Sequence, residues 1–219
     1  MNEIPPQAVP AEPGPMTHPG YTVAPPPSKK KRILRGVALA VAGVAALVGG
    51  RLAMGALLGS DTPDDAGRYR LTPPASFQGL VLQDSGPRVD AIRQGQGAGQ
   101  PGVERVAVVY ADQSGAAQLV VSGAYGSFTD KDPGAELDGA LRAMGMKEGQ
   151  VKEYEAGQPD GGAMRCGPLA TAAGTLSMCM WADHSTLVSV TVPVENKAPA
   201  MDELAEQSRA LRTAMEVRS

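Results

Sequence analysis

The sequence predicts an α+β fold: an antiparallel sheet with helices packed on one face, arranged as two related hairpin-helix units and preceded by one transmembrane helix. Three observations predict it. An apolar run from Ile33 to Leu58 stands between the basic Lys29-Lys30-Lys31-Arg32 and the acidic Asp61-Thr62-Pro63-Asp64-Asp65. Beyond it, short runs rich in Val, Thr and Met alternate with turn residues, the pattern of antiparallel strands. Two stretches with apolar residues at helical spacing, around Leu141 and Leu211, each follow a strand pair.

The first segment, residues 1–32, holds nine of the chain's 19 prolines and few large apolar side chains. It cannot bury enough surface to fold, so a disordered Pro-rich tail ending in a basic cluster is expected. A ligand for a Pro-binding partner is the functional alternative to a solvated tail. Residues 33–59 follow as the span: about 26 apolar positions at 1.5 Å rise give roughly 39 Å, enough for a hydrocarbon core of about 30 Å. Lys29, Lys30, Lys31, Arg32 and Arg35 flank its start, and the Lys/Arg bias keeps that side in the cytoplasm. The predicted location is therefore the cell membrane, with the N-terminus cytoplasmic and the C-terminal domain extracytoplasmic. A cleaved signal peptide is the rival, disfavoured by the long preceding segment and by the lack of a clean small-x-small site.

Arg51 interrupts the span near its outer end, where it can snorkel to the headgroups or pair with a partner helix. Ala42, Ala46, Gly50, Gly55 and Gly59 place small residues at close spacing. Such a row suits a homodimer through the span, and it also arises by chance in so Ala/Gly-rich a segment.

Charge divides the chain more sharply than its net of -3 suggests. From Asp61 onward 14 Lys+Arg face 21 Asp+Glu, a difference of -7; before it, 6 Lys+Arg outweigh 2 Glu. An acidic domain without a Lys/Arg cluster offers phosphates nothing to condense on, so nucleic acid is not an expected partner.

Residues 60–67 read as a polar linker, and residues 68–219 as the outer domain. Arg68 to Leu71 is a first strand ended by Pro73-Pro74, and Phe77 to Leu82 a second. Pro87 opens a short helix. The glycines between Gly95 and Gly102 resemble a nucleotide loop, but Pro101-Gly102 runs straight into the strand-like Val103 to Tyr110. A dinucleotide loop needs a strand before it and a helix after it, so a connector is expected. Asp112-Gln113-Ser114-Gly115 turns that strand into Ala116 to Gly123. Asp132-Pro133 supplies an N-cap and a first-turn proline for a helix carrying Leu137, Ala140, Leu141 and Met144. After a strand at Val151 to Glu155, three strands follow, at Ala163 to Thr171, Thr175 to Asp183 and Thr186 to Val192. A last helix behind Pro199 carries Met201, Leu204, Ser208, Leu211 and Met215 on one stripe.

The midpoint between Cys166 and Cys179 falls at Ala172-Ala173, so a simple hairpin register sets them opposite one another. In an oxidising compartment that implies a disulfide. Trp181 shares the strand face of Cys179. Asp183-His184-Ser185 contains the residue types of a hydrolase triad, but triads assemble in space and neighbours in a turn point apart. His18 and His184 are the only histidines, so neither a metal site nor a cofactor site is expected. The acids Asp112, Asp130, Asp132 and Asp183 leave a glycan hydrolase as the enzymatic alternative.

Tyr69-Arg70-Leu71-Thr72-Pro73 at the opening of the domain, and Cys166 with Cys179-Met180-Trp181-Ala182-Asp183 late in it, resemble a set of uncharacterised actinobacterial single-pass membrane proteins. The resemblance implies an anchored outer domain and brings no activity or site residues. The expected function is non-enzymatic binding of a protein or cell-envelope component, with a sensor or regulatory subunit of a membrane complex as the alternative.

Overall fold

The computed structural model describes residues 62–129 and 132–219. The head, the basic flank Lys29, Lys30, Lys31, Arg32 and Arg35, the predicted span, Asp61 and Asp130 lie outside the described residues. Among the described residues no helix is long and apolar enough to cross a membrane.

The described chain is an α+β domain. In order it forms β1 (Tyr69–Leu71), β2 (Ser76–Phe77), β3 (Leu80–Gln83), α1 (Pro87–Gly95), β4 (Val103–Ala111), β5 (Ala117–Gly126), α2 (Pro133–Ala143), β6 (Lys152–Tyr154), β7 (Ala163–Thr171), β8 (Gly174–Ala182), β9 (Thr186–Val192), α3 (Met201–Met215) and β10 (Glu216–Arg218). Eight strands make one sheet in the order β2-β3-β4-β5-β9-β8-β7-β6, and β1 pairs with β10 in a separate two-stranded ribbon. Every pairing is antiparallel. From either edge inward four strands follow one another in chain order, β2 to β5 and β6 to β9, so that β5 and β9 meet at the centre.

Local chemistry explains the turns. Between β2 and β3, Gln78 and Gly79 both have positive φ, 48° and 80°, the backbone of a two-residue hairpin whose twist matches its strands. The segment read as one strand from Phe77 to Leu82 is therefore two. Between β4 and β5, Asp112 Oδ1 accepts the amides of Ser114 at 2.9 Å and Ala116 at 3.0 Å, and its carboxylate also takes the Ser114 hydroxyl at 2.6 Å. That hydroxyl, ahead of the backbone amides, holds the Asp112 carboxyl below its ordinary range. Asp132 caps α2 through Gly134 N at 2.9 Å and Ala135 N at 3.1 Å, with Pro133 in the first turn.

The helices lie on both faces of the sheet, not on one. On the first face α3 places Leu204, Ala205, Leu211 and Met215 against Val121, Met164, Cys166, Cys179, Trp181, Val188 and Val190, with Leu71 of the ribbon beside them. On the second, α2 sets Leu137 and Leu141 over Leu169, Leu176, Met178, Met180 and Leu187. Also on the second face, α1 sets Val89 and Ile92 over Ala107, Val109 and Val120.

The physical reason is that the central strands are apolar on both sides. β9 is buried at all seven positions, so a one-sided cover would leave Leu187, Met178 and Met180 in water. Its sequence, Thr-Leu-Val-Ser-Val-Thr-Val, alternates as a half-solvated strand would. The hydroxyls of Ser189 and Thr191 are instead buried in the second face, where Ser189 Oγ donates to Ser122 O at 3.2 Å and Gln96 Nε2 donates to Ser122 Oγ at 3.1 Å. The two hairpin-helix units share their strand pattern, but α2 and α3 cover opposite faces of the same β7–β8 half.

Candidate functional site

Titratable side chains converge where the C-terminus of α3, the β8–β9 turn and β10 meet. Arg212 occupies the last turn of α3, and Glu216 follows one helical turn later as the first residue of β10, so the i,i+4 spacing brings them together. Arg212 Nε donates to Glu216 Oε2 at 3.1 Å, Nη2 to Asp183 Oδ2 at 2.8 Å and Nη1 to the carbonyl of Gly161 at 3.0 Å. The side chains of Arg212 and Glu216 are 1% and 0% exposed. Asp183 uses its other oxygen to accept the amides of Ser185 and Thr186, both at 2.7 Å, which shapes the turn. Glu216 Oε1 accepts Trp181 Nε1 and Thr186 Oγ1, both at 2.6 Å.

One guanidinium therefore serves two buried carboxylates, and the cluster carries a formal charge of -1 when both are ionised. Burial, followed by the neighbouring Asp183 charge, raises the Glu216 carboxyl above its ordinary range; Arg212 and the Thr186 hydroxyl oppose that shift. A raised folded-state value means that Glu216 contributes its full stability below the ordinary glutamate range and loses it as pH rises through the raised value. Glu216→Gln should flatten the fall in melting temperature from acid toward neutral pH. Because its amide N–H would face the Arg212 donor, the variant is less stable throughout, and the slope is the test. An unchanged slope would remove Glu216 as the source.

The cluster is turned inward. Its hydrogen bonds join parts of the domain, so chemically it ties α3, the β8–β9 turn, the Gly161 loop and β10 into one unit.

Asp183, His184 and Ser185 do not assemble a triad. His184 Nδ1 lies 2.6 Å from Asp65 Oδ1, while Ser185 Oγ donates to the Asp65 carbonyl at 2.9 Å. With Gly67 N on the His184 carbonyl at 3.3 Å, these contacts fasten the described end of the segment read as a polar linker to the domain. The described candidate acids do not converge either. Asp112 and Asp183 occupy turns at opposite ends of β5 and β9, on the order of 25 Å apart at about 3.4 Å per residue. Asp132 is spent on the helix cap. Among the described residues no group of three or more His, Cys, Asp or Glu side chains could hold a metal.

Cys166 and Cys179 are brought together as their spacing predicts. They are direct partners in the β7–β8 register, with sulfurs bonded at 2.04 Å. Beside β7, a shallow cavity of about 270 Å³ is lined by Asp138, Leu141, Met146, Glu153 and Arg165. Arg142 and Lys147 also line it, and of these three cations Arg165 is engaged, lying 2.9 Å from Asp138 and 3.3 Å from Glu153. The glycine-rich stretch is a connector, as expected. It follows a helix and precedes a strand, the reverse of a phosphate loop, and Arg105 donates to the carbonyls of Gly97 and Ala98.

Sequence reasoning did not find Arg212 and Glu216. The available signal was an arginine four residues after Ser208 on the buried stripe of α3, with a glutamate four residues further on. No protein-family model, curated protein or solved structure matches this chain.

Proposed function

We propose that this chain is a membrane-anchored extracytoplasmic domain, non-enzymatic, that binds a protein or cell-envelope component. The observation that carries the proposal is the Cys166–Cys179 bond, whose residues are 1% and 0% exposed and sit in the main core beside Trp181. A disulfide at that depth belongs to a chain folded in an oxidising compartment. The basic flank of the predicted span points the same way, since it keeps the head in the cytoplasm and sends the domain outward. A hydrolase is left out because Asp112, Asp132 and Asp183 are each engaged by local backbone amides.

The alternative, a sensor or regulatory subunit, gains from one observation. Asp65 and Gly67 are fastened to His184 and Ser185, so displacement of the preceding segment would be felt at the β8–β9 turn. Retained association with a membrane partner in Arg51→Leu would remove that coupling through the span.

The native sulfurs are too buried for an impermeant reagent, so topology is tested with reporter cysteines. Gln113→Cys, in the exposed β4–β5 turn, should react with an impermeant maleimide on intact cells, and Ser28→Cys only after lysis. The native pair should resist alkylation in denaturing lysate until a reductant is added. The reverse labelling, or free native thiols, would overturn the proposal.

A further inference from the structure

We propose that the β1–β10 ribbon is a seat for anionic lipid headgroups, holding the domain against the membrane that its predicted anchor crosses. The inference rests on the anchored reading above. In the ribbon Tyr69 faces Arg218, Arg70 faces Val217 and Leu71 faces Glu216, and Ser219 N donates to the Arg68 carbonyl at 2.9 Å. Leu71 and Glu216 are buried and fix the ribbon to the core, whereas Arg68, Arg70 and Arg218 are exposed. Paired strands about 5 Å apart, with about 3.3 Å between successive residues, gather these three arginines at one end of the ribbon. Pleat alternation puts Arg68 and Arg70 on its outer side and Arg218 at the open end of the other.

Among the described residues Arg88, Arg93, Arg165 and Arg212 each have a carboxylate within 4.0 Å, whereas Arg68, Arg70 and Arg218, like Arg105, Arg142 and Arg209, have none, and Arg68, Arg70 and Arg218 are the ones that share one short ribbon. Of the two acids just before Arg68 in the chain, Asp65 faces His184, and Asp64 offers its carbonyl to Arg68 Nη2 at 3.4 Å. Three unpaired guanidiniums thus collect in a part of the chain with an overall excess of acid.

Chain length puts this patch beside the bilayer. The predicted span ends at Gly59, and six residues reach at most about 21 Å to Asp65, which is docked on His184 and Ser185. The ribbon begins four residues later. Guanidinium forks match lipid phosphates in geometry, and an anionic surface attracts each basic side chain within a Debye length.

The test uses the full chain in nanodiscs of phosphatidylcholine alone or mixed with phosphatidylglycerol. Arginine reactivity toward phenylglyoxal is read residue by residue by mass spectrometry. In the anionic discs Arg68, Arg70 and Arg218 should react about fivefold more slowly, the factor one basic side chain contributes at such a surface. High salt should restore their reactivity, while Arg93 and Arg142 stay unchanged. Equal reactivity in the two discs would overturn the seat and leave the anchor standing. A chain extracted from vesicles by alkaline carbonate would overturn the anchor, and the seat with it.

Discussion

Arg212→Leu should destabilise the domain by about 3–5 kcal/mol, the loss expected when one partner of a buried ionic cluster is removed. Leucine fills much of the space of the arginine stem, so packing is the smaller part of the loss. The larger part is electrostatic: Asp183 Oδ2, Glu216 Oε2 and the Gly161 carbonyl all lose their donor at once. Two buried carboxylates then face each other without a cation. Arg212→Lys should recover only part, because a single ammonium cannot span three acceptors set for a planar fork.

Neutralising the acids supplies the control. Added to Arg212→Leu, Asp183→Asn and Glu216→Gln should cost much less than they do singly in the native protein, giving a coupling above about 1 kcal/mol. Trp181 is the only tryptophan and donates to Glu216, so its emission reports on the cluster during urea unfolding. A loss below about 1 kcal/mol for Arg212→Leu would mean that water reaches the carboxylates and screens them.

The same cluster shows where sequence reading stops. Elements whose cause is local were legible: the Asp132-Pro133 cap of α2, the Asp112 turn, and the β7–β8 hairpin whose midpoint predicts the Cys166–Cys179 register. Each is fixed by residues at most 13 positions apart. The missed features need distant partners. β10 is three residues long and exists as a strand because β1 lies beside it, nearly 150 positions earlier in the chain. β9 carries serine and threonine at alternate positions, which reads as a wet face, and only the arrival of α1 and α2 on that face turns it into an interior. Arg212 looks like a soluble helix residue until the β8–β9 turn and β10 are placed around it. Legibility thus follows contact distance along the chain: the polar cluster joins Arg212 to Gly161 across 51 positions, and the β1–β10 ribbon reaches further still.

Replacing Cys166 and Cys179 together by alanine should cost about 3 kcal/mol, the loop-closure entropy for a bridge spanning so short a segment. Their sequence separation is 13 and the bond closes the β7–β8 hairpin. The alanine pair also removes two sulfurs from the core cluster that holds Trp181, a smaller packing loss because the strands keep their register through backbone hydrogen bonds. Serine separates the two effects. At 0–1% exposure its hydroxyls have no water to replace the bond, and each unsatisfied hydroxyl costs a further 1–3 kcal/mol or so. The serine pair should therefore fall well below the alanine pair in denaturant midpoint, while both lose the same chain-entropy contribution. Hydrogen exchange of the β7 and β8 amides is the accompanying measurement. Protection that declines only by the global loss of stability would mean that the bond acts on the unfolded chain. Selective loss in β7 would mean instead that the bond holds β7 against β8 in the native state. A difference near zero between the alanine and serine pairs would show that water enters beside Trp181, and the core reading of the bridge would fall.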